Sequence, residues 1–339
     1  MLTGAAGFVG HHTLAHFLKT TDYDFVVTDS FKHRGISARL RSVFDEIPSA
    51  EKRVRVFTHD LNVPIDAVTA SEFGDINFII NMASESHVDR SITNPREFFI
   101  NNVNLVLTVL DYARNCSALE MMIQISTDEV YGPAPIGHNH KEWESYFPSN
   151  PYSASKASQE SACYAYWRTY GIPLLITNTM NIIGERQDKE KFVPMTISNL
   201  ISNKNVPVHA KLDSGGKWEV GSRYYLHARN QADALRFLVE KSSQLDLVYR
   251  NSSKPLEKFN VVGEQELRND EVVNLVAKFL GIESKIEYTD FHSSRPGHDL
   301  RYALDGTKLK DFGWVPPIPL EKSIERTVQW YQKNTNWLL

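Results

Sequence analysis

Tyr152 and Lys156 carry side chains that together could move a proton. The stretch 152–156 reads YSASK, follows an Asn-Pro pair and is predicted to begin a helix. Residues four apart lie on one face of a helix. Because an ammonium beside a phenol lowers the pKa of the phenol, the pair could act as a general base near neutral pH. The spacing also arises by chance, and a surface pair on a helix is the alternative interpretation.

Two adjacent carboxylates, Asp128 and Glu129, lie where a predicted strand ends. Thr127 precedes them, and its hydroxyl could hydrogen-bond the substrate hydroxyl that Tyr152 deprotonates. Two carboxylates at a buried strand end are costly unless they are used or paired. Their environments could keep one protonated as an acid and the other ionised as a base. The alternative is a pair of solvated loop acids, or a pair at a helix N-terminus.

Gly4, Gly7 and Gly10 follow one another at intervals of three residues near the start of the sequence. Dinucleotide-binding loops use glycines for a tight turn, for close approach of the backbone to a pyrophosphate and for close helix packing. A helix that begins near Gly7 would direct its N-terminus at that pyrophosphate. A purely structural turn is the alternative. Only three residues precede the loop, so the first strand is expected to be short or to continue upstream of this numbering.

Asp29 follows a predicted strand about 20 residues after the glycine loop, the separation typical of dinucleotide-binding proteins. A carboxylate at this position accepts hydrogen bonds from the adenosine ribose and repels a 2′-phosphate. The sequence therefore predicts NAD as the cofactor. An ordinary strand-end cap is the alternative interpretation of Asp29, and the nearby Arg34 leaves a small chance for NADP.

The order of the predicted elements indicates the fold that must position these groups. Strand-like runs alternate with helical segments, a rhythm that predicts a doubly wound parallel sheet of the Rossmann type. The runs are Phe25–Thr28, Val54–Phe57, Phe78–Ile80, Met121–Ser126 and Leu174–Thr177. The helical segments between them are Gly10–Thr20, Pro95–Asn115 and Tyr152–Tyr170.

After Asn178 the rhythm changes to irregular segments that are rich in Asn, Lys, Pro and Gly. Helices are predicted at Arg229–Lys241, Asp270–Leu280 and Leu320–Thr335. This part is expected to form a smaller α/β cap on the carboxyl edge of the sheet, where ligands of open parallel sheets bind. We therefore expect a cofactor domain at 1–177 and a mainly substrate-binding domain at 178–339, with some segments returning to the first.

Composition excludes several classes of function. The net charge is −4, which gives no electrostatic footprint for nucleic acid. The two cysteines, Cys116 and Cys163, fit neither a disulfide framework nor a zinc spacing, and no metal site is predicted. Apolar stretches such as Leu105–Leu110 are far shorter than the roughly 20 residues that span a bilayer. No signal peptide is visible, so a cytoplasmic protein without membrane partners is expected.

Several motifs resemble those of a known family. Residues 3–10 are similar to TGGAGFIG, 126–132 match STDEVYG and 152–156 match YSASK. Residues 83–92 resemble AAESHVDRSI, 190–194 resemble EKLIP and 295–303 resemble RPGHDRRYA. Over nearly its whole length the chain resembles the extended short-chain dehydrogenase/reductases, specifically the nucleotide-sugar 4,6-dehydratases of the dTDP-glucose 4,6-dehydratase kind.

The resemblance implies further site residues. Positions that line NAD in the family are matched by Phe8, Val9, Asp29, Asp60, Leu61, Ala83 and Asn101. Positions that hold the nucleotide-sugar are matched by Ser86, Asn181, Lys191, Arg223, Asn260, Arg295 and His298. The three cations among them are the donors that a pyrophosphate requires. Taken singly, each of the three would more often be a solvated surface charge.

The sequence also departs from the family pattern. The family's NNYGP is here NIIGE at 181–185, and its RDWLYVEDH is here RYYLHARNQ at 223–231. The loop before Arg223 is a few residues longer. All three changes lie in the cap, so they leave the reaction type in place and leave the nucleotide and the sugar open.

The resemblance implies an intramolecular redox reaction with NAD+ as a true catalyst. Tyr152 would deprotonate the C4 hydroxyl, Thr127 would orient it, and Lys156 would lower the pKa of Tyr152 and bind the nicotinamide ribose. Glu129 would remove the C5 proton, and Asp128 would protonate the departing C6 hydroxyl. The product would be an NDP-4-keto-6-deoxyglucose made from dTDP-glucose or UDP-glucose.

Two alternative functions stay open, and the resemblance also implies that the chain binds a second copy of itself. A nucleotide-sugar 4-epimerase or decarboxylase of the same superfamily would need only Thr127, Tyr152 and Lys156, and a non-catalytic NAD-binding sensor would need none of them. The family also forms a homodimer through a four-helix bundle, built from the helices predicted at Pro95–Asn115 and Tyr152–Tyr170. Apolar residues assigned to that interface are Phe98, Val106, Val109, Ala162, Ala165 and Tyr166.

Overall fold

A computed structural model describes residues 1–32, 36–249, 254–290 and 299–338. The strands are β1 Leu2–Thr3, β2 Phe25–Asp29, β3 Val54–Thr58, β4 Phe78–Asn81, β5 Met121–Thr127, β6 Leu174–Thr179, β7 Asn181–Ile183, β8 Val206–Leu212, β9 Trp218–Val220, β10 Ser222–His227, β11 Glu257–Val261, β12 Glu266–Arg268 and β13 Ile286–Asp290. The helices are α1 Phe8–Thr20, α2 Ile36–Glu46, α3 Ala50–Arg53, α4 Ala67–Phe73, α5 Val88–Thr93, α6 Pro95–Ala113, α7 Pro151–Tyr170, α8 Phe192–Ile201, α9 Ala228–Glu240, α10 Asn269–Leu280, α11 Thr307–Asp311 and α12 Leu320–Lys333. No helix in these ranges is both long and apolar enough to span a membrane.

Seven parallel strands form the main sheet in the order β3-β2-β1-β4-β5-β6-β11. The chain order reverses between β1 and β4, which confirms the doubly wound, Rossmann-type sheet. Strand β1 has only two residues, yet it lies in the middle, where Thr3 pairs with Thr28 on one side and Asn81 on the other. The reversal point opens a crevice at the carboxyl edge, the usual ligand site of such sheets.

Alternating apolar side chains attach helices to both faces of this sheet. Val26 and Ile79 face the core under α6 and α7, whereas their neighbours Val27 and Ile80 face the core under α1, α2 and α9. Successive strand residues point to opposite faces, so these short apolar runs supply both cores. The sequence-predicted strands and helices are all present, with ends that differ by a few residues.

The N-terminus of α7 is fixed by local sequence. Asn150 accepts a hydrogen bond from the Ser153 amide and Ser153 Oγ accepts one from the Asn150 amide, forming a capping box. Pro151 occupies the first helical turn, and Gly171 ends the helix in the left-handed conformation with φ 68°. Tyr152 is therefore held in the first turn of a well-defined helix.

The chain after β6 builds two small sheets, ordered β12-β10-β7 and β13-β8-β9, with α8, α10 and α12 packed around a core of their own. Other segments return to the large sheet, because β11 is its edge strand and α9 packs on α1. The division of the chain at residue 177 stays a prediction.

Candidate active site

A cavity of about 1100 Å³ opens at the carboxyl edge of the seven-stranded sheet, between the sheet and the cap. The structure brings nearly all the described site residues together in its lining. They are Gly4, Gly7, Phe8, Val9, Gly10, Asp29, Asp60, Leu61, Ala83, Ser86, Asn101, Thr127, Asp128, Glu129, Tyr152, Lys156, Asn181, Lys191 and Arg223. Arg34, Arg295 and His298 lie outside the described residues.

The glycine loop is tight enough to require its glycines. Gly4 has φ +63°, and a Cβ atom there would lie 2.9 Å from the backbone of Ala83. A Cβ atom at Gly10 would lie 2.2 Å from the Gly4 carbonyl oxygen. The first turn of α1 is thereby packed against the loop, and its N-terminus faces the cavity without a side-chain cap. This is the arrangement that accepts a pyrophosphate.

Asp29 lies at the end of β2 beside this loop and is largely buried. Its carboxylate accepts hydrogen bonds from the Ala6 amide at 3.2 Å and the Phe31 amide at 3.0 Å. Further along the same wall, Asp60 is ion-paired with Lys32, and Asn101 accepts a hydrogen bond from Asn62 at 2.7 Å. A glycine-lined helix N-terminus with an acidic residue at the next strand end fits a dinucleotide with a free ribose 2′-hydroxyl.

Thr127 ends β5, and a 3-10 helix over Asp128–Tyr131 follows it directly. The Thr127 hydroxyl donates to Asp128 Oδ1 at 2.8 Å, and Thr127 and Asp128 are both buried. Asp128 Oδ2 is buried and has no hydrogen-bond partner within the described chain. Glu129 Oε2 accepts a hydrogen bond from Asn150 Nδ2 at 3.1 Å. These carboxylates are cavity groups and not solvated loop acids.

Burial raises the pKa values of both carboxyl groups toward neutral pH. It raises the pKa of Asp128 to about 6. Burial, with the adjacent Asp128 charge, raises the pKa of Glu129 to about 7. The pair therefore has a singly protonated form near neutral pH, which acid–base chemistry requires.

Tyr152 and Lys156 line the cavity on one face of α7, but their electrostatics differ from the sequence-based expectation. Burial and the Glu129 charge raise the pKa of Tyr152, while a hydrogen bond with Thr127 lowers it. The Lys156 ammonium donates to the Ile125 carbonyl at 2.7 Å and to Gln159 Oε1 at 2.6 Å. Burial lowers the pKa of Lys156 to about 8. The expected lowering of the Tyr152 pKa by Lys156 is not found in the protein alone.

Two of the predicted phosphate ligands reach the cavity from the cap. Burial lowers the pKa of Lys191, the residue that precedes α8. The Arg223 guanidinium donates to the carbonyl groups of Asp299 and Leu300 and lies over the Tyr302 ring at 4.6 Å. Arg223 is thus held rigidly, with part of its donor set used by the backbone.

Asn260 is not among the residues that line the cavity, and its assignment as a nucleotide-sugar ligand stays a prediction. It lies on edge strand β11 and is fully buried. Its amide nitrogen donates to the His140 and Asp305 carbonyl groups, each at 3.0 Å. These bonds tie the 133–149 loop and the segment before α11 to the sheet.

A buried chain of amides behind Lys156 was not identified from the sequence. Asn81 donates to Gln124 Oε1 at 2.7 Å, Gln124 donates to Gln159 Oε1 at 3.3 Å, and that oxygen also accepts from Lys156. All three amide residues are fully buried. The available signal is a polar side chain inside an apolar strand, such as Gln124 within Met121–Ser126.

One cluster outside the cavity has metal-ligand chemistry. His138, His140 and Glu144 place their ligand atoms within 4.8 Å of one another. Glu144 Oε2 lies 2.9 Å from His138 Nε2 and 2.7 Å from His140 Nδ1. The carboxylate is therefore already paired with both imidazoles.

Comparison with known proteins identifies the family. The family described as GDP-mannose 4,6 dehydratase matches residues 1–327. A probable dTDP-glucose 4,6-dehydratase of Sinorhizobium fredii is 34% identical over 351 residues, covering 99% of this chain and 93% of that protein. A crystal structure of dTDP-glucose 4,6-dehydratase from Streptomyces venezuelae with NAD bound is 30% identical, with a TM-score of 0.82 and coverage of 99% of this chain and 97% of that one.

A UDP-glucuronic acid 4-epimerase from Bacillus cereus, covering 98% of each chain, has a TM-score of 0.83 but only 19% identity, so it shares the fold alone. The match over residues 1–327 and the full-length relatives agree with the motifs quoted above. The chain belongs to the GDP-mannose 4,6 dehydratase family, and relatives that match its full length are dTDP-glucose 4,6-dehydratases.

Proposed function

We propose that the protein is an NAD-dependent NDP-glucose 4,6-dehydratase, a hydro-lyase that forms an NDP-4-keto-6-deoxyglucose. The first candidate substrate is dTDP-glucose, after the names of the relatives, and the second is UDP-glucose. The observation that carries the proposal is the Asp128–Glu129 pair in the same cavity as Thr127, Tyr152 and Lys156. Oxidation at C4 needs only the last three residues, whereas elimination of water also needs an acid and a base.

The oxidation half of the reaction uses the first turn of α7 and the end of β5. Tyr152 takes the proton of the C4 hydroxyl, and Thr127 hydrogen-bonds the same oxygen. The glycine loop and Asp29 would hold NAD+, which would supply the acceptor for the C4 hydride and, once reduced, the donor of that hydride to C6 of the same sugar. Tyr152 needs a lower pKa than it has in the protein alone, and the positive charge of the oxidised cofactor has the sign that lowers it.

The elimination half uses the carboxylate pair. A keto group at C4 makes the C5 proton acidic, and Glu129 removes it as a general base. Asp128 donates a proton to the departing C6 hydroxyl, so that water leaves. The singly protonated pair supplies both functions at once when the proton lies on Asp128 and Glu129 is ionised. Lys191 and Arg223, with Arg295, supply positive charge for the pyrophosphate of the substrate.

A panel of NDP-glucoses tests the proposed function. The purified protein is incubated with dTDP-, UDP-, GDP-, ADP- and CDP-glucose, and the alkali-induced absorbance of the 4-keto product is followed. At least one nucleotide, with dTDP first, is expected to give the signal. Conversion to a C4 epimer without that signal favours the epimerase alternative, and no conversion of any substrate favours the NAD-binding sensor.

We expect the cofactor to be NAD and to copurify with the protein, since it is regenerated within each cycle. After its removal, calorimetric titration is expected to show NAD binding at least about tenfold tighter than NADP, because a 2′-phosphate would face the Asp29 carboxylate. Asp29→Asn is expected to narrow this preference. The exposed Asp75→Asn serves as the control variant. Tighter binding of NADP than NAD by the unmodified protein would contradict the assignment of Asp29.

We also propose a homodimer formed through α6 and α7, with one correction to the interface. Phe98, Val106 and Val109 are buried within the chain itself. Val106 and Val109 belong to the core between α6 and the sheet, whereas Phe98 packs edge-on against Tyr152. Ala165 is exposed, Ala162 and Tyr166 are half-buried, and Ile100 on α6 is 47% exposed. Closed two-fold dimers are the commonest oligomers.

Light scattering at micromolar concentration tests the dimer. A mass of twice the chain is expected for the unmodified protein. Ile100→Asp is expected to shift the equilibrium toward monomer, while Val315→Asp, at an exposed site outside the helix pair, is expected to leave the dimer intact. A monomer at every concentration would remove the dimer proposal.

We place the protein in the cytoplasm, where nucleotide-sugars and NAD are available to it. Fractionation of the native cell, with the 4-keto assay on each fraction, tests this placement. Activity confined to the membrane or the extracellular fraction would contradict it.

A further inference from the structure

Glu160 lies on α7 one turn beyond Lys156, on the face that carries Tyr152 and Lys156, but deeper in the protein. It is 1% exposed and does not line the cavity. Its partner is Lys258 on edge strand β11, whose Nζ lies 2.6 Å from Glu160 Oε2. Both side chains are completely buried. A buried ion pair of this kind is weak evidence for stability, because desolvation offsets the attraction between its charges.

The environment of the pair is built to hold both charges. Lys258 Nζ lies within 5.5 Å of the ring centroids of Tyr131, Trp143 and Tyr146. Tyr146 also donates to Glu160 Oε2 at 2.7 Å. Burial lowers the pKa of Lys258, whereas the Glu160 carboxylate raises it. Aromatic faces favour a buried cation, so Lys258 can stay charged beside Glu160.

The other carboxylate oxygen of Glu160 connects the pair to the end of β5. Oε1 accepts hydrogen bonds from Ser126 Oγ and, at 2.8 Å, from Asn178 Nδ2. The same Asn178 amide nitrogen donates to the Thr127 carbonyl oxygen at 2.9 Å. Ser126 and Asn178 are both buried. Glu160 therefore holds Ser126 directly and Thr127 through Asn178, the two residues that end β5 immediately before the carboxylate pair.

Glu160 also affects Lys156, through the charge of its carboxylate. Burial lowers the pKa of Lys156, and the charge of Glu160 on the same helix raises it. The two groups that accept hydrogen bonds from the ammonium are neutral, the Ile125 carbonyl on β5 and the Gln159 amide oxygen on α7. Without the Glu160 charge, the Lys156 ammonium would lose its proton at a lower pH.

We propose that Glu160 and Lys258 form a positioning unit for the oxidation half of the reaction, holding the Ser126–Thr127 end of β5 and keeping Lys156 charged. The proposal rests on the proposed function, because Thr127 and Lys156 act in that reaction. Neither residue of the unit touches the substrate. The unit explains why two charges are buried at this place, where a pair of apolar side chains would fill the same space.

The test removes both charges together. Either single change would strand a buried charge and strongly destabilise the protein, whereas a neutral pair of similar volume is often tolerated. The double variant Glu160→Gln/Lys258→Met is therefore compared with the unmodified protein. The control is Lys278→Met/Glu321→Gln, which removes an exposed ion pair of the same residue types between α10 and α12. Thermal unfolding confirms that each variant is folded.

The first readout does not depend on catalysis. The rate at which acetic anhydride modifies Lys156, followed by peptide mass spectrometry across pH, gives the titration midpoint of that amine. In the double variant the midpoint is expected to fall to a lower pH, because Glu160 is the carboxylate whose charge raises the pKa of Lys156. The alkaline limb of the pH profile of kcat/KM is expected to shift to lower pH together with this midpoint. The control variant should match the unmodified protein in both readouts.

A folded double variant with unchanged labelling midpoint and unchanged profile overturns the proposal. If the double variant does not fold, Ser126→Ala decides the matter, because it removes one hydrogen bond to Glu160 and no charge. Slower oxidation with unchanged KM then supports the positioning role, and wild-type rates overturn it. Absence of dehydratase activity in the unmodified protein instead contradicts the proposed function, while the Lys156 labelling result still stands.

Discussion

Glu129→Gln is expected to stop the elimination of water while leaving oxidation at C4 in place. The amide keeps the shape of the side chain and can still accept the hydrogen bond from Asn150, but it cannot act as a base. Loss of a general acid or base costs about 10²–10⁴-fold, or roughly 3–5 kcal/mol of barrier. Oxidation then outpaces elimination, and the near-ultraviolet absorbance of reduced nicotinamide is expected to rise when the cognate NDP-glucose is mixed with the variant.

Asp128→Asn is expected to give the same accumulation through loss of the acid. The two variants also test which carboxyl group has which role, since burial raises the pKa of both groups. A substrate whose leaving group needs no proton should rescue Asp128→Asn but not Glu129→Gln. If that substrate restored the activity of Glu129→Gln alone, Glu129 would be the general acid and Asp128 the general base.

The control for both variants is Glu219→Gln, at an exposed position on β9 outside the cavity lining. It is expected to turn over normally. Normal turnover of Glu129→Gln and Asp128→Asn would make the pair structural and favour the epimerase alternative. Failure without any rise in absorbance would mean that the carboxylates support oxidation or binding instead. The cognate nucleotide must be used, because weak binding lowers both steps together.

Tyr152→Phe is expected to abolish both half-reactions, with a loss of about 10²–10⁴-fold in kcat. The phenol is the group placed to take the proton of the C4 hydroxyl. Without the phenol, no base removes that proton as the hydride leaves C4. No rise in reduced nicotinamide is therefore expected, in contrast to the carboxylate variants. Stopped-flow absorbance after mixing with the cognate NDP-glucose measures this directly.

Tyr170→Phe removes a half-exposed phenol from the other end of α7 and serves as the matched control. It should behave as the unmodified protein does. A Tyr152→Phe variant that still reduces the cofactor at a normal rate would exclude Tyr152 as the base of the oxidation step.

Local sequence determined much of the site. The capping box at Asn150 and the proline after it begin α7 at the residue that places Tyr152 in its first turn. The glycine spacing predicts a tight loop. The structure has this loop, and the close backbone contacts at Gly4 and Gly10 leave no room for a side chain. Because parallel strands end at one edge of a sheet, Asp29 and Thr127 could be placed at the same edge before any contact was known.

Long-range packing determined the rest, and there the sequence-based assignments were incomplete. Asn260 was matched to a nucleotide-sugar position through the family resemblance, yet its strand closes the edge of the sheet and its amide binds neighbouring loops. Phe98 has the same apolar character as an interface residue, and only the packing of α6 shows that it is buried within the chain. Glu160 and Lys258 are far apart in sequence, so their ion pair has no local signal.

Transfer of a label within the sugar tests the central claim most directly. The cognate NDP-glucose carrying deuterium at C4 is converted by the protein, and the product is examined by NMR and mass spectrometry. A 4,6-dehydratase that regenerates its own cofactor is expected to place the deuterium on C6 of the 4-keto-6-deoxy product. Deuterium retained at C4 of an epimerised sugar, or a 4-keto sugar that keeps its C6 hydroxyl, would contradict the account.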